Sequence, residues 1–380
     1  MKYTKSWGLS LVAALLLAAC GGGGSDTTPR ANITSVKVMG DSLADVGTFG
    51  FKFTVQGTAS LIYPERIAQT YGISSLCSFY LFTGTTFVAN PTAGCTDYAI
   101  GGGRINNVSA PTSPQSIVVQ LQTAAAAGDY AATDLLVIDG GGNDAADLVG
   151  AYLRAASDGG AAYSALLSSQ LDPTVVATQL AAGPSGFATV GGLYMTALAD
   201  TFHAAIQTNV LDNGATHVAV VNVPGITKTP RFQMVLDSIA TANGGGTAGA
   251  TARAAAESVF DGWVQAFNAR LRTHFAGNAN VVVVDAYAGL NDEVAHPAQF
   301  GLSNVATPAC PITGAGSDGL PTYTFPTCTD TALSAAPPTG VTDADWWKSY
   351  LFADSFHPTP LGHQLLAQLI SKSLAAAGWL

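Results

Sequence analysis

Four short runs of apolar, mostly β-branched residues recur along the chain, and each stops abruptly at a turn. They occupy residues 33–39, 134–138, 216–223 and 280–285. Runs this short and this apolar suit strands of a sheet covered on both faces. Between them, and after the last, lie segments with apolar residues at helical spacing, at 61–71, 116–127, 193–211, 251–275 and 360–376. Strands alternating with helices argue for a mainly parallel sheet with helices on both sides, a three-layer α/β/α sandwich. In such sheets ligands bind just outside the carboxyl ends of the strands. The residues that follow each run are therefore where chemistry is to be sought.

The first run ends in Gly40-Asp41-Ser42-Leu43-Ala44-Asp45-Val46-Gly47 and presents a small hydroxyl at a strand tip. A later stretch, Tyr98-Ala99-Ile100-Gly101-Gly102-Gly103-Arg104, delivers the backbone into three glycines, where a bare N–H can approach a ligand closely. The run at 134–138 breaks at Asp139-Gly140-Gly141-Gly142-Asn143-Asp144, and the Asn143 amide can donate where a carboxylate cannot. Near the end stands Asp354-Ser355-Phe356-His357-Pro358-Thr359. An acid three residues before a histidine can hold one imidazole nitrogen and leave the other free as a general base. Taken singly, each piece has a plainer reading: a helix cap, a flexible turn, an Asx-turn, a surface ion pair.

Together, and in this order, the four pieces resemble the GDSL family, also called SGNH hydrolases. The resemblance runs from about Ile33 to Leu380, and its details look most like extracellular bacterial lipases, phospholipases and esterases. It implies a flavodoxin-like fold with a sheet of about five strands. Carried over by position, it implies Ser42 as nucleophile, His357 as base and Asp354 as the residue orienting that base. Ser42, Gly102 and Asn143 match the oxyanion-hole donors, and Gly101 or Gly103 could replace Gly102 by a one-residue shift. Asp45 fits the same pattern and is read as structural. The implied chemistry is acyl transfer from an ester, with no cofactor and no metal. The α/β-hydrolase elbow G-x-S-x-G is not met, because Ala44 takes its last position. The remaining histidines (His203, His217, His274, His296, His363) show no metal-ligand spacing.

The N-terminus reads as an address. Lys2 and Lys5 precede the apolar stretch 9–17, and Leu17-Ala18-Ala19-Cys20 looks like a bacterial lipobox. Residues 1–19 are then a signal peptide, Cys20 the lipidated first residue, and 20–30 a flexible tether. Gly21 is not an acidic retention residue, so the outer membrane or cell surface is the expected location, with the periplasm as the remaining possibility. Four cysteines are left. Three connectivities are open to them, and the local pairs Cys77–Cys95 and Cys310–Cys328 are favoured because each closes a Gly/Thr/Pro-rich loop. The net charge is −10, without a basic cluster, which argues against a nucleic-acid partner. The expected partners are an ester substrate and, through the anchor, a membrane. The mature chain is expected to be a monomer and one domain, 31–380, with insertions at about 74–96, 224–248 and 286–345. An aromatic rim (Phe79, Tyr80, Phe82, Phe87, Trp346, Trp347, Tyr350) favours an apolar acyl group. An acyltransferase or a polysaccharide O-deacetylase could use the same residues. A binding lipoprotein without catalysis is the reading from another class.

Overall fold

The structure, a computed structural model, is described for residues 31–380. The signal segment, Cys20 and the tether lie outside the described residues. The central sheet has four parallel strands: β1 (Ser35–Met39), β2 (Asp134–Ile138), β3 (Val218–Val221) and β4 (Val281–Val284). They stand side by side in chain order. Ser35 lies beside Asp134, Leu136 beside Val218 and Val218 beside Val281. The expected fifth strand shrinks to one rung, in which Val38 exchanges backbone hydrogen bonds with Thr96 and Tyr98 on the outer edge of β1. Asp97 explains the brevity. Its carboxylate turns back to accept the N–H groups of Val46 and Ala99, and the backbone leaves the ladder.

Alternating side chains split between two helical layers. On one face Met39, Leu136, Ile138, Val218 and Val220 pack against α2 (Ile117–Ala125), α3 (Gly142–Asp158), α4 (Pro184–Ile206) and α6 (Gly246–His274). On the other face Val36, Val38, Leu135, Val137 and Ala219 meet α1 (Tyr63–Thr70) and α8 (Pro360–Ala376). Period-2 burial on both faces is what the uninterrupted apolar runs required. Pro360 fits the first turn of α8, where an N–H has no partner in the helix, and the Thr359 hydroxyl caps it by accepting from the Gly362 N–H at 3.3 Å.

Two segments that lack regular pattern in the sequence contain helices. Within 224–248 lies α5 (Pro230–Ala242), and 286–345 opens with α7 (Ala286–Ala295). Helix α5 buries only Pro230, Phe232 and Leu236, too few to give a visible apolar stripe. The segment 49–55, which reads as extended, is bent and makes no strand. The sulfurs pair Cys77 with Cys95 and Cys310 with Cys328, each 18 residues apart. Two disulfides fit an oxidising compartment. Among the described residues no helix is long and apolar enough to cross a membrane.

Under α7 lies a cavity of about 80 Å³ walled by Leu43, Val221, Ile226, Leu290 and Phe352, and Glu293 faces it. Burial, and then the neighbouring Asp292, push the Glu293 carboxyl up from 4.5 to about 8. Between those values the folded chain keeps a proton that the unfolded chain has released. Stability therefore falls as pH rises from 4.5 to about 8. Glu293→Gln should remove this slope and be the more stable form above pH 8, by on the order of 3 kcal/mol. Denaturant midpoints at acid and alkaline pH read the effect; equal slopes in both proteins would contradict it.

Candidate active site

Ser42 sits in the turn after β1, and two clamps shape that turn. Gln120 of α2 accepts from the Gly40 N–H at 2.8 Å and donates to the Gly40 carbonyl at 3.0 Å. Asp139, at the end of β2, accepts from the Asp41 N–H at 3.0 Å. Gly40 has to be glycine, because a Cβ there would run into the Asp139 carboxylate. The other Asp139 oxygen accepts from the Tyr63 hydroxyl at 2.8 Å. Burial, and then the adjacent Asp41 carboxylate, raise the Asp139 carboxyl well above the usual range. Burial raises Asp41 as well. The turn thus rests on buried carboxyl groups whose lone pairs go to named donors.

The loop before α8 brings its histidine to this turn. His357 Nε2 lies 2.7 Å from Ser42 Oγ, and His357 Nδ1 lies 2.8 Å from Asp354 Oδ2. Asp354 Oδ1 accepts two backbone N–H groups, from Phe356 at 2.7 Å and from His357 at 2.6 Å. Burial pushes the Asp354 carboxyl up. The charge and hydrogen bond of His357 and the two N–H groups pull it down further, so the net shift is below the usual range. Ser42, His357 and Asp354, three positions singled out in the sequence, form one continuous relay. In it the oxygen of Ser42 can give its proton to an imidazole whose other nitrogen is held.

The three consecutive glycines resolve into one free N–H. Gly101 donates to Asp45 Oδ2 at 2.9 Å, and Gly103 donates to the Ile100 carbonyl at 2.9 Å. Gly102, at φ 77°, donates to no acceptor among the described residues, and neither does the Ser42 N–H. Asp45 also accepts from the N–H groups of Gly47 and Thr48 at 2.9 and 2.7 Å. It ties the Ser42 turn to the glycine loop, a structural role that suits the reading of the sequence. Asn143 lies in the first turn of α3. Its Nδ2 donates to the Gly103 carbonyl at 3.0 Å and reaches Asp41 Oδ2 at 3.3 Å. All five sequence-derived site residues therefore converge at the carboxyl ends of β1 and β2. This is the switch point, where the chain leaves β1 for the sheet edge and later returns on the other side as β2.

Other contributors carry no local signal. Phe53 and Phe325 pack on the His357 ring, with centroids 5.2 and 5.5 Å away. They stand nearer to the site than the expected rim. Phe79 stacks on Tyr98 at 4.5 Å, Trp347 is buried, and Trp346 lies against Tyr350. Phe325 belongs to the loop closed by Cys310–Cys328, and Cys310 donates its N–H to the Ala353 carbonyl at 2.7 Å. That disulfide loop thus braces the histidine segment. Arg104 donates to the Gly102 carbonyl at 2.6 Å and pairs with Asp147 of α3 at 2.5 and 3.1 Å. Asp144 accepts from the N–H groups of Ile105 and Asn106, and burial raises its carboxyl to about 6.

Fold and site define a hydrolase-type α/β/α sandwich with a serine at the end of its first strand. The family model described as GDSL-like Lipase/Acylhydrolase matches residues 36–370, and the chain belongs to that family. A curated relative, Lipase 1 of Photorhabdus luminescens, is 27% identical over 368 residues. That alignment takes in 89% of this chain and 50% of the relative, so the chain spans about half of that protein's length.

Proposed function

We propose that this chain is a serine-dependent carboxylic ester hydrolase acting on apolar acyl esters. The observation that carries the reading is the hydrogen-bonded line from Ser42 Oγ through His357 to Asp354, at 2.7 and 2.8 Å. His357 takes the Ser42 proton as the oxygen attacks the ester carbonyl. The N–H groups of Ser42 and Gly102 and the amide of Asn143 receive the tetrahedral oxyanion. Their freedom from other acceptors, for the two N–H groups, supports that role. As the intermediate collapses, His357 returns the proton to the leaving alcohol. Water then attacks the acyl-enzyme by the same route and releases the acid. Membership of a lipase and acylhydrolase family supports this reading. The anchor at Cys20 would hold the enzyme at a membrane facing an oxidising compartment, a placement that the two disulfides suit.

The test is hydrolysis of p-nitrophenyl esters, from acetate to palmitate, by the soluble chain. Turnover is expected, and a folded protein that cleaves none of them overturns the proposal. Release of acyl product to an added alcohol in preference to water would convert it to an acyltransferase. Within this scheme Asn143→Ala should lower kcat by about 10²–10³ with little change in KM, since its amide is needed most when charge reaches the oxygen. A rise in KM at constant kcat would assign Asn143 to substrate binding instead.

A further inference from the structure

A groove of about 940 Å³ runs away from the site between α3 and α5. Its near wall is one face of α3. Ala146, Asp147, Gly150, Arg154 and Ser157 line it, at the three- and four-residue intervals that continue the face bearing Asn143. Its far wall is Phe232, Val235 and Ile239 of α5. Its inner end is tied to two site segments, the glycine loop and the histidine loop. Arg104, which lines it, bonds the Gly102 carbonyl, and Arg231 donates its N–H to the Ser355 carbonyl at 2.7 Å. Phe232 lies 6.3 Å from Phe356, the neighbour of His357.

We infer that this groove takes the acyl chain of the ester and that Gly150 sets the length it accepts. The inference rests on the ester-hydrolase reading. Proton delivery fixes the direction. The leaving alcohol must lie where His357 can protonate it, on the side walled by Phe53 and Phe325. The acyl part leaves the carbonyl carbon in another direction, and the groove, whose near wall continues the α3 face that bears Asn143, is the adjoining space that can take it. Its middle is apolar enough for methylenes, with Val235 and Ile239 half-buried and Leu153 38% exposed. Gly150 stands seven residues beyond Asn143, about 10 Å along the helix axis. A Cβ added there meets nothing within 4 Å, so a larger side chain would enter the groove and not the core. A short acyl group ends before that point and a long one crosses it.

The experiment compares wild type, Gly150→Ala and Gly150→Trp on p-nitrophenyl acetate and palmitate. Replacing a mid-helix glycine does not threaten the fold, and both variants should melt at or above the wild-type temperature. The palmitate-to-acetate ratio of kcat/KM should fall at least tenfold in Gly150→Trp and stay within twofold in Gly150→Ala, by about those factors. An unchanged ratio in a folded Gly150→Trp overturns the groove assignment while leaving the hydrolase reading intact. Should wild type cleave no ester, the hydrolase reading falls on its own. Binding of a fluorescent long-chain fatty acid then decides the groove. Capture by wild type and not by Gly150→Trp supports it, and equal capture by both overturns it.

Discussion

Ser42→Ala should leave no more than about one part in 10⁴ of the ester turnover, with the fold intact. The size follows from the role. Without the oxygen there is no covalent acyl-enzyme, and what remains is water attacking an ester held by the oxyanion donors. The intact fold follows from the contacts. Among the described residues the Ser42 hydroxyl bonds only His357, at 2.7 Å. The turn itself is held by the Gln120 clamp on Gly40, by Asp139 on the Asp41 N–H, and by the Asp41 carbonyl, which accepts from Ala44 and Asp45 at 3.1 Å. None of these uses the side chain of residue 42. Thermal melting of the variant should therefore match wild type. Loss of stability together with activity would show the hydroxyl to be part of the scaffold, and full activity in the variant would remove Ser42 from the mechanism.

The difference between those two roles marks what the sequence could and could not reveal. The strands were legible because each is a continuous apolar run, and a strand covered on both faces admits little else. The site motifs were legible because each sits within a few residues of a strand end or a stiff loop. Asp354 and His357 are three residues apart, and their bond is local. The clamps were not legible. Gln120 and Gly40 lie 80 residues apart, Asp139 and Asp41 lie 98 apart, and Tyr63 meets Asp139 across 76. No spacing rule links such residues, and only tertiary packing selects one buried glutamine among many. The choice among Gly101, Gly102 and Gly103 had the same character. It turns on Asp45 and the Ile100 carbonyl occupying the two flanking N–H groups, which composition cannot show. The lost fifth strand and the unseen helix α5 have a related cause. Asp97 spends its carboxylate on backbone N–H groups where a strand would continue, and α5 buries too few residues to print a period.

Asp354→Asn should cost about 10⁴-fold in kcat/KM, nearly as much as removing the nucleophile, although Asp354 touches no reacting atom. The carboxylate accepts three N–H groups: His357 Nδ1–H on one oxygen and two backbone N–H groups on the other. An amide has one accepting oxygen and a donating NH₂, so one of those partnerships must fail. If the NH₂ faces the imidazole, Nδ1 has to give up its proton, and the proton moves to Nε2. That nitrogen then points a hydrogen at Ser42 and can no longer act as a base. If the NH₂ faces the backbone instead, two N–H donors meet a third and the loop that carries His357 is forced open. Stability should fall by roughly 2 kcal/mol at neutral pH, the worth of hydrogen bonds to a charged acceptor. The pH dependence separates this from a packing defect. The folded Asp354 carboxyl is held below its ordinary value, so its contribution is present above that value and is lost as pH falls through the folded one. Wild type and Asp354→Asn should accordingly differ in melting temperature at pH 7 and converge in strong acid. A difference that persists unchanged into acid would mean that the carboxylate's charge holds neither the loop nor the histidine, and the role assigned to Asp354 would have to be given up.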